Sequence, residues 1–530
     1  MIPRKLFVLL FFSLTLIQVL NYATALNVLV IVTLPLKSHY MAFERLFREL
    51  ASRGHSVTVM NNYLETNPPP NMTFIDLSLN RDRKKMMPPI SDYEPISSNY
   101  IHLINLYRHF VVTIPGTIED CENLFINKNV QDFLAKKQNI DVIFVEQFMS
   151  DCGLAFAAAV YDAPIIGITS HTLLPWAYYR LGIPFDFSAD AFYFSRSGPN
   201  PSLYDKVEAY LADYYITYLA QRLVHDNVYK VFNKYLPDVP LDMQKVGKER
   251  MKMMFAYQHY SVTGARLLSP QVLEIGGIHI DKPKPIPQDL EKFLASAKHG
   301  VIYVSFGSNL KASTMSAQKM QQFLDAFKRI PQKVLWKLEN ITLNEDYENI
   351  LTRPWFPQRD ILCHPKVLAF ISHGGMLSLS EAAHCGKPLL AIPFFGDQFS
   401  NAAAIESSGL GSTLYFDHVS VKTLKDSMEY LTSEKMQHSA RSVSKLWHDR
   451  PMDVLDSAIY WTEYVARHRT APPSLPSKSS TWFQRSLLDV YSVLFAALLA
   501  VLILFYVVVK LFIYLLRRIL GIFIVKKKKD

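Results

Sequence analysis

Between Phe370 and Ala402 the chain reads FISHGGMLSLSEAAHCGKPLLAIPFFGDQFSNA. An apolar, strand-like run ends at Ser372, His373-Gly374-Gly375 turns the chain, and Met376 to His384 has helical character. Glycines let backbone N–H groups approach a ligand closely, and a helix start offers unpaired N–H donors at the positive end of a dipole. A diphosphate suits such a turn, and His373 adds a further donor for a phosphate oxygen. Glu381 lies close to two helical turns beyond Gly375, where a carboxylate accepts from ribose hydroxyls. Asp397-Gln398 follows the next apolar run and so falls at the same sheet edge, where an acid beside an amide suits the hydroxyls of a sugar. Phosphate, ribose and sugar in that order describe a nucleotide-sugar.

A second chemical feature lies near the start. His39, in LPLKSHYM, follows the apolar run NVLVIVT where a helix begins. Imidazole titrates near neutrality and can take a proton from a hydroxyl. The loop has no G-x-G-x-x-G, which argues against a dinucleotide site and a nicotinamide oxidoreductase. The chain contains no D-x-D, so no metal is expected to bridge a diphosphate.

These residues need rigid elements behind them. NVLVIVT, the amphipathic YMAFERLFRELASRG and HSVTVMN read as a βαβ unit, and DVIFVEQ, a small-residue helix and APIIGITS repeat it. Residues from about Leu173 to Met253 are aromatic-rich and read as an irregular region that shapes an acceptor site. DKPKPIPQDL reads as a linker, and VIYVSFGS, KVLWKL, VLAFIS and PLLAIPF restart the alternation, with mainly helical pattern from Val421 to about His468. The expected fold class is α/β: two Rossmann-like doubly wound domains, 26–280 and 291–470, joined by a linker at 281–290 and facing a cleft.

The ends carry membrane signals. Residues 1–25 pair Arg4 and Lys5 with an apolar run and Ala23-Thr24-Ala25, the pattern of a cleaved signal peptide. A stalk over 471–489 precedes a charge-free stretch at 490–509, long enough to cross a bilayer, and a basic tail over 510–530. The formal charge of +9 is mostly terminal: the leader holds two basic residues, and Lys510 to Asp530 holds seven with one acid. Little net charge remains for the body, which removes the support for nucleic-acid binding; the tail lysines fit anionic membrane lipid. Lys527 and Lys528 resemble a dilysine signal for retrieval to the endoplasmic reticulum. The four cysteines show no metal spacing and no disulfide-scaffold density. Asn71 and Asn340 head glycan acceptor sequons.

The signature run, VSFGS, RPWFPQRDIL, the leader, the crossing helix and the basic tail together resemble the UDP-glycosyltransferase family over essentially the whole chain. The resemblance implies a GT-B fold with the acceptor in the first domain and a UDP-sugar in the second. It implies that Trp355 stacks on uracil and Gln358 contacts the nucleoside. Ser308 and Ser378 would help His373, Gly374 and Gly375 hold the diphosphate, while Glu381, Asp397 and Gln398 keep the roles argued above. His39 becomes the general base, paired with a carboxylate after a later strand; Glu146 matches by register and Asp151 is the competing candidate. Leu377 departs from the family, where many relatives carry Asn beside the phosphate.

The expected reaction is inverting transfer from a UDP-sugar, glucose rather than glucuronate, to a hydroxyl of a small lipophilic acceptor. No metal and no resident cofactor are expected. The alternative is a catalytically silent luminal UDP-sugar-binding protein. The catalytic domains are expected in the lumen of the endoplasmic reticulum, with a single crossing and a cytoplasmic tail; the oligomeric state is left open.

Overall fold

The computed structural model describes residues 25–78, 89–94, 116–148, 150–187, 195–198, 201–339, 343, 347–470, 472 and 474–526. The leader, Asn340 with its sequon, and the dilysine pair lie outside the described residues. The chain divides into two compact units, one ending at Ser474 and one from Leu475 to Asp530.

The first unit holds two parallel sheets. One contains β1 (Asn27–Ile31), β2 (Ser56–Asn61), β3 (Met72–Asp76), β4 (Val142–Glu146), β5 (Ile165–Thr169), β6 (Met251–Ala256) and β7 (Val272–Glu274), in the order β3-β2-β1-β4-β5-β6-β7. The other contains β8 (Val301–Ser305), β9 (Lys333–Lys337), β10 (Ile350–Arg353), β11 (Val367–Ser372), β12 (Leu389–Ala391) and β13 (Gly411–Thr413), in the order β10-β9-β8-β11-β12-β13. Every described pairing between these strands is parallel. Val28 to Ile31 and all of β4, β5 and β8 are buried, as continuous apolar strands in a sheet covered on both faces must be. The helix Glu44–Ser52 covers one face by burying Leu46, Phe47, Leu50 and Ala51 at helical spacing.

In each sheet the strand order reverses between the first and fourth strands, β1/β4 and β8/β11. Loops leaving two neighbouring strands diverge to opposite faces at such a point and open a crevice. The register sets Ile31 opposite Val145 and Ser305 opposite Ser372, so the loops that follow start side by side.

Three parts differ from the sequence reading. The region from Leu173 to Met253 is largely helical: Leu203–Tyr214, a π-helical turn over Tyr215–Ala220, Gln221–Tyr235 and Met243–Glu249 follow one another. Ser202 and Asp205 form a capping box at its start, and Ala209, Ala212, Ile216 and Ala220 supply a buried stripe of mostly small residues that is hard to see among the aromatics. The helix Gln288–Ala295 starts inside the stretch read as linker. Finally, the helix Val454–His468 packs against the first sheet and its helix Glu44–Ser52, although it follows the second domain in sequence. Arg53 to Asp456 at 2.5 Å and His55 to Glu463 at 3.4 Å tie it there.

In the second unit, Leu488–Lys526 is one helix of 39 residues. Its segment Leu488–Ile519 is long and apolar enough to cross a membrane. The helix continues past the charge-free stretch through Lys510 into the segment read from sequence as the basic tail.

Candidate active site

His39 sits in the short helix Lys37–Met41, reached from the end of β1. Its Nδ1 bonds Oε1 of Glu146, the last residue of neighbouring β4. An ionised carboxylate can only accept, so Nδ1 carries the hydrogen and Nε2 keeps a free lone pair. The imidazole ring is fixed edge-on against Phe148 at 4.7 Å and His171 at 5.0 Å. The imidazole and the carboxylate are both buried, and among the described residues Glu146 Oε2 has no hydrogen-bond partner.

Asp151, the other candidate, is committed elsewhere. It pairs with Arg180 and accepts from His225 Nε2 at 2.9 Å. Burial opposes its ionisation, but the Arg180 guanidinium and the His225 bond outweigh it and hold the carboxyl well below the usual range. The geometry brings Glu146, and not Asp151, to His39.

The second domain presents its parts at the matching edge. Gly307 and Gly374 both have φ of 82°, and Gly375 is the N-cap of Met376–Cys385 with no side-chain cap. The first N–H groups of that helix therefore lack the usual capping oxygen. The glycines serve the histidine as well as any ligand: a Cβ at Gly307 would lie 2.7 Å from His373 Cε1, and one at Gly375 would lie 2.4 Å from Nε2. The ring fills the space that two missing side chains leave. Burial, and then nearby Lys337, push the His373 pKa down to about 4. His373 is thus neutral near pH 7 and offers a hydrogen bond without full charge.

The cation beside it is Lys337, at the end of β9, buried and paired with Glu339. Sequence reasoning missed it, because a lysine at the end of KVLWKL reads as an ordinary strand end. The signal available was its position: β9 neighbours β8, and its last residue falls at the edge where Ser308 and His373 begin.

Trp355 is 54% exposed, with Lys37 Nζ 5.4 Å above its ring. It does not pack into the core. Gln358 Nε2 donates to Ser378 Oγ at 3.1 Å and to Glu381 Oε2 at 2.5 Å, while Gln358 Oε1 accepts from Tyr303 at 3.2 Å. Glu381 Oε1 also meets His279 Nε2 at 3.3 Å. Asp397 Oδ2 accepts from Asn401 Nδ2 at 2.8 Å and lies 4.0 Å from His171 Nε2. Burial raises the Asp397 pKa to about 6. Gln398 turns its oxygen to the backbone N–H groups of Phe394 and Phe395, at 2.8 and 3.2 Å. Asn401, His171 and His279 were also missed; the i, i+4 spacing of Asp397 and Asn401 was the one readable sign among them.

His39, Ser308, Lys337, Trp355, Gln358, His373, Gly375, Leu377, Ser378, Glu381, Asp397 and Gln398 all line one cleft of about 1000 Å³. Among the described residues, no cluster of three or more His, Cys, Asp or Glu side chains is placed to hold a metal ion. Asn71 is exposed, with Nδ2 3.3 Å from the Ala51 carbonyl.

Two Rossmann-like domains bordering one cleft define the GT-B class of glycosyltransferases. The fold is similar to solved structures of that kind: the glycosyltransferase of kitacinnamycin (TM-score 0.56, 14% identity, covering 84% of this chain and 99% of that one) and the calicheamicin glycosyltransferase CalG4 (TM-score 0.53, 15% identity, 84% and 100%). Residues 27–529 match the family described as "UDP-glucoronosyl and UDP-glucosyl transferase", and the chain belongs to that family. It is 33% identical to UDP-glycosyltransferase UGT5 of Dactylopius coccus, over 94% of this chain and 95% of that protein. It is 26% identical to human UDP-glucuronosyltransferase 1A6, over 88% of this chain and 87% of that protein. The protein is therefore a UDP-sugar-dependent glycosyltransferase acting on an acceptor, and its apolar C-terminal helix is consistent with a single-pass membrane protein.

Proposed function

We propose that the enzyme transfers glucose from UDP-glucose to a hydroxyl of a small lipophilic acceptor, with inversion and without a metal ion. The observation that carries this reading is the His39–Glu146 pair and the His373-Gly375 turn on the walls of one cleft.

His39 Nε2 takes the acceptor proton as the hydroxyl oxygen attacks the anomeric carbon from the face opposite UDP. Glu146 holds the ring and offsets the positive charge that forms on it. Leu34, Leu36 and Phe148 give the acceptor side of the cleft apolar surface. On the donor side, Trp355 stacks on uracil while Gln358 and Glu381 take the nucleoside. Charge that builds on the leaving diphosphate is met by the N–H groups at the start of Met376–Cys385, by Ser308 and Ser378, by neutral His373 and by Lys337. At Leu377, where the family resemblance implies Asn in many relatives, these groups take over the missing contact. Asp397 and the Gln398 amide receive the sugar hydroxyls.

Glucose is favoured over glucuronate because the chain is 33% identical to two Dactylopius coccus proteins and only 26% identical to human UDP-glucuronosyltransferase 1A6. A relative 33% identical over 86% of this chain also bears the name UDP-glucosyltransferase 2. The basic residues after the charge-free stretch support a reading in which the catalytic domains face the lumen of the endoplasmic reticulum, where the sequons at Asn71 and Asn340 would serve as glycan acceptors.

Membranes carrying the wild type or the His39→Ala variant, incubated with several UDP-sugars and a phenol panel and read by mass spectrometry, test this. Expected are glucosides from UDP-glucose with the wild type alone. UDP-sugar binding without any product from the wild type would instead mark a silent binding protein.

A further inference from the structure

The four cysteines form two disulfides, Cys121–Cys152 and Cys363–Cys385. Cys363 is the C-cap residue of the helix Gln358–Leu362, and Cys385 is the last residue of Met376–Cys385. The bond therefore joins the far ends of two helices whose near ends meet in the cleft, through Gln358, Ser378 and Glu381. The ring it closes contains β11, the His373-Gly374-Gly375 turn and the helix after it.

We propose that Cys363–Cys385 is a positioning element of the donor subsite, holding the nucleoside helix at a fixed spacing from the diphosphate helix. The inference rests on the donor reading given above. A helix of five residues cannot hold its own shape or place in water. Gln358–Leu362 is restrained at its start by the Gln358 bonds to Tyr303, Ser378 and Glu381, along its buried face by Ile361 and Leu362, and at its end by the disulfide. A bound nucleotide draws on the same amide, hydroxyl and carboxylate, so the restraint at the start is shared with the ligand. The covalent restraint at the end does not change with occupancy. It keeps the gap between Gln358 and Glu381 preformed, so binding need not order the short helix first. Both cysteines are half-buried and neither lines the cleft, so the bond acts through the helices and is open to reductant.

The test uses the full-length protein in detergent, with UDP affinity measured by calorimetry and kinetics measured with UDP-glucose. Dithiothreitol passes two electrons and two protons to the disulfide and becomes its own cyclic disulfide; alkylation and mass spectrometry then show which cysteines are free. Reduction of Cys363–Cys385 in the wild type is expected to weaken UDP binding and raise the donor KM by roughly tenfold, with kcat changed by less than about twofold. The Cys363→Ser/Cys385→Ser variant starts at the weakened value and dithiothreitol moves it no further. The Cys121→Ser/Cys152→Ser variant keeps the wild-type donor KM. Unchanged UDP affinity in wild type with Cys363 and Cys385 shown to be reduced would overturn the inference while leaving the donor site intact. A parallel loss of kcat and folded protein would overturn it too, by showing a role in stability alone. Should the double variant fail to fold, the reduced wild type decides the question. No UDP binding by the oxidised wild type would overturn the donor reading itself.

Discussion

The two sheets share one strand order, with the reversal between first and fourth strands, yet the loops at the two reversals are built from opposite materials. After β1 and β4 the chain keeps its side chains: His39 and Glu146 meet through them, packed by Phe148 and His171. After β8 and β11 the chain drops them: Gly307, Gly374 and Gly375 expose backbone N–H groups and make room for one imidazole. The topology decides where a crevice opens. On the function proposed above, the loop that keeps its Cβ atoms serves proton transfer and the loop that loses them receives an anion. A histidine stands at each reversal, and the pair differ in surroundings: His39 has a carboxylate to balance a proton, whereas His373 has a lysine nearby that opposes one.

Substitutions can break this division of labour. His39→Ala removes the only base proposed for the acceptor and should lower kcat by about 10³-fold or more, with the donor KM near wild type in steady-state assays. Glu146→Gln keeps a hydrogen-bond acceptor but loses the charge that balances imidazolium, for a drop on the order of 10²-fold in kcat. Asp151→Asn makes the contrast. It strands the buried Arg180 charge and should cost about 3–5 kcal/mol of stability in denaturant unfolding, acting on the fold rather than on the chemical step. On the other side, Gly375→Ala pushes its Cβ into the His373 ring. UDP affinity should fall by roughly 10-fold in titration, as the ring leaves its slot.

The smallest effect concerns pH. The Asp397 pKa is raised in the folded protein to about 6, from an ordinary value of 3.8. Its neutral form favours folding, so that contribution is full below the unfolded pKa and is lost as pH rises through about 6. Asp397→Asn should therefore raise the melting temperature relative to wild type at pH 7.5 but not at pH 4, while weakening the grip on sugar hydroxyls. Equal melting-temperature differences at both pH values would show that Asp397 is not held against its charge.

The donor side was the more legible half. His373-Gly374-Gly375, Glu381 and Asp397-Gln398 lie in one continuous run, so local pattern and chain order carry the geometry. His39 was readable from its place after the first strand. Its partner was narrower to find, because Glu146 and Asp151 flank the same turn and only the packing of Arg180 and His225 separates them. Lys337, His171 and His279 come to the cleft from distant elements, and no local spacing marks such residues. The two disulfides were equally silent: separations of 31 and 22 residues follow no cysteine motif, and their pairing is set by how helices pack after folding. The helices after Ser202 were hidden by aromatics on their exposed side, since Tyr204, Tyr210 and Tyr214 face outward.

The return of Val454–His468 to the first sheet bears on how this enzyme can be cut and recombined. A hybrid that takes its front half from this chain and its back half from a relative, joined near residue 281, would bring a foreign helix onto Arg53 and His55. The natural seams are two rather than one. A chimaera that keeps residues 454–468 together with the front half retains the contacts of that helix with the first sheet and with Arg53 and His55.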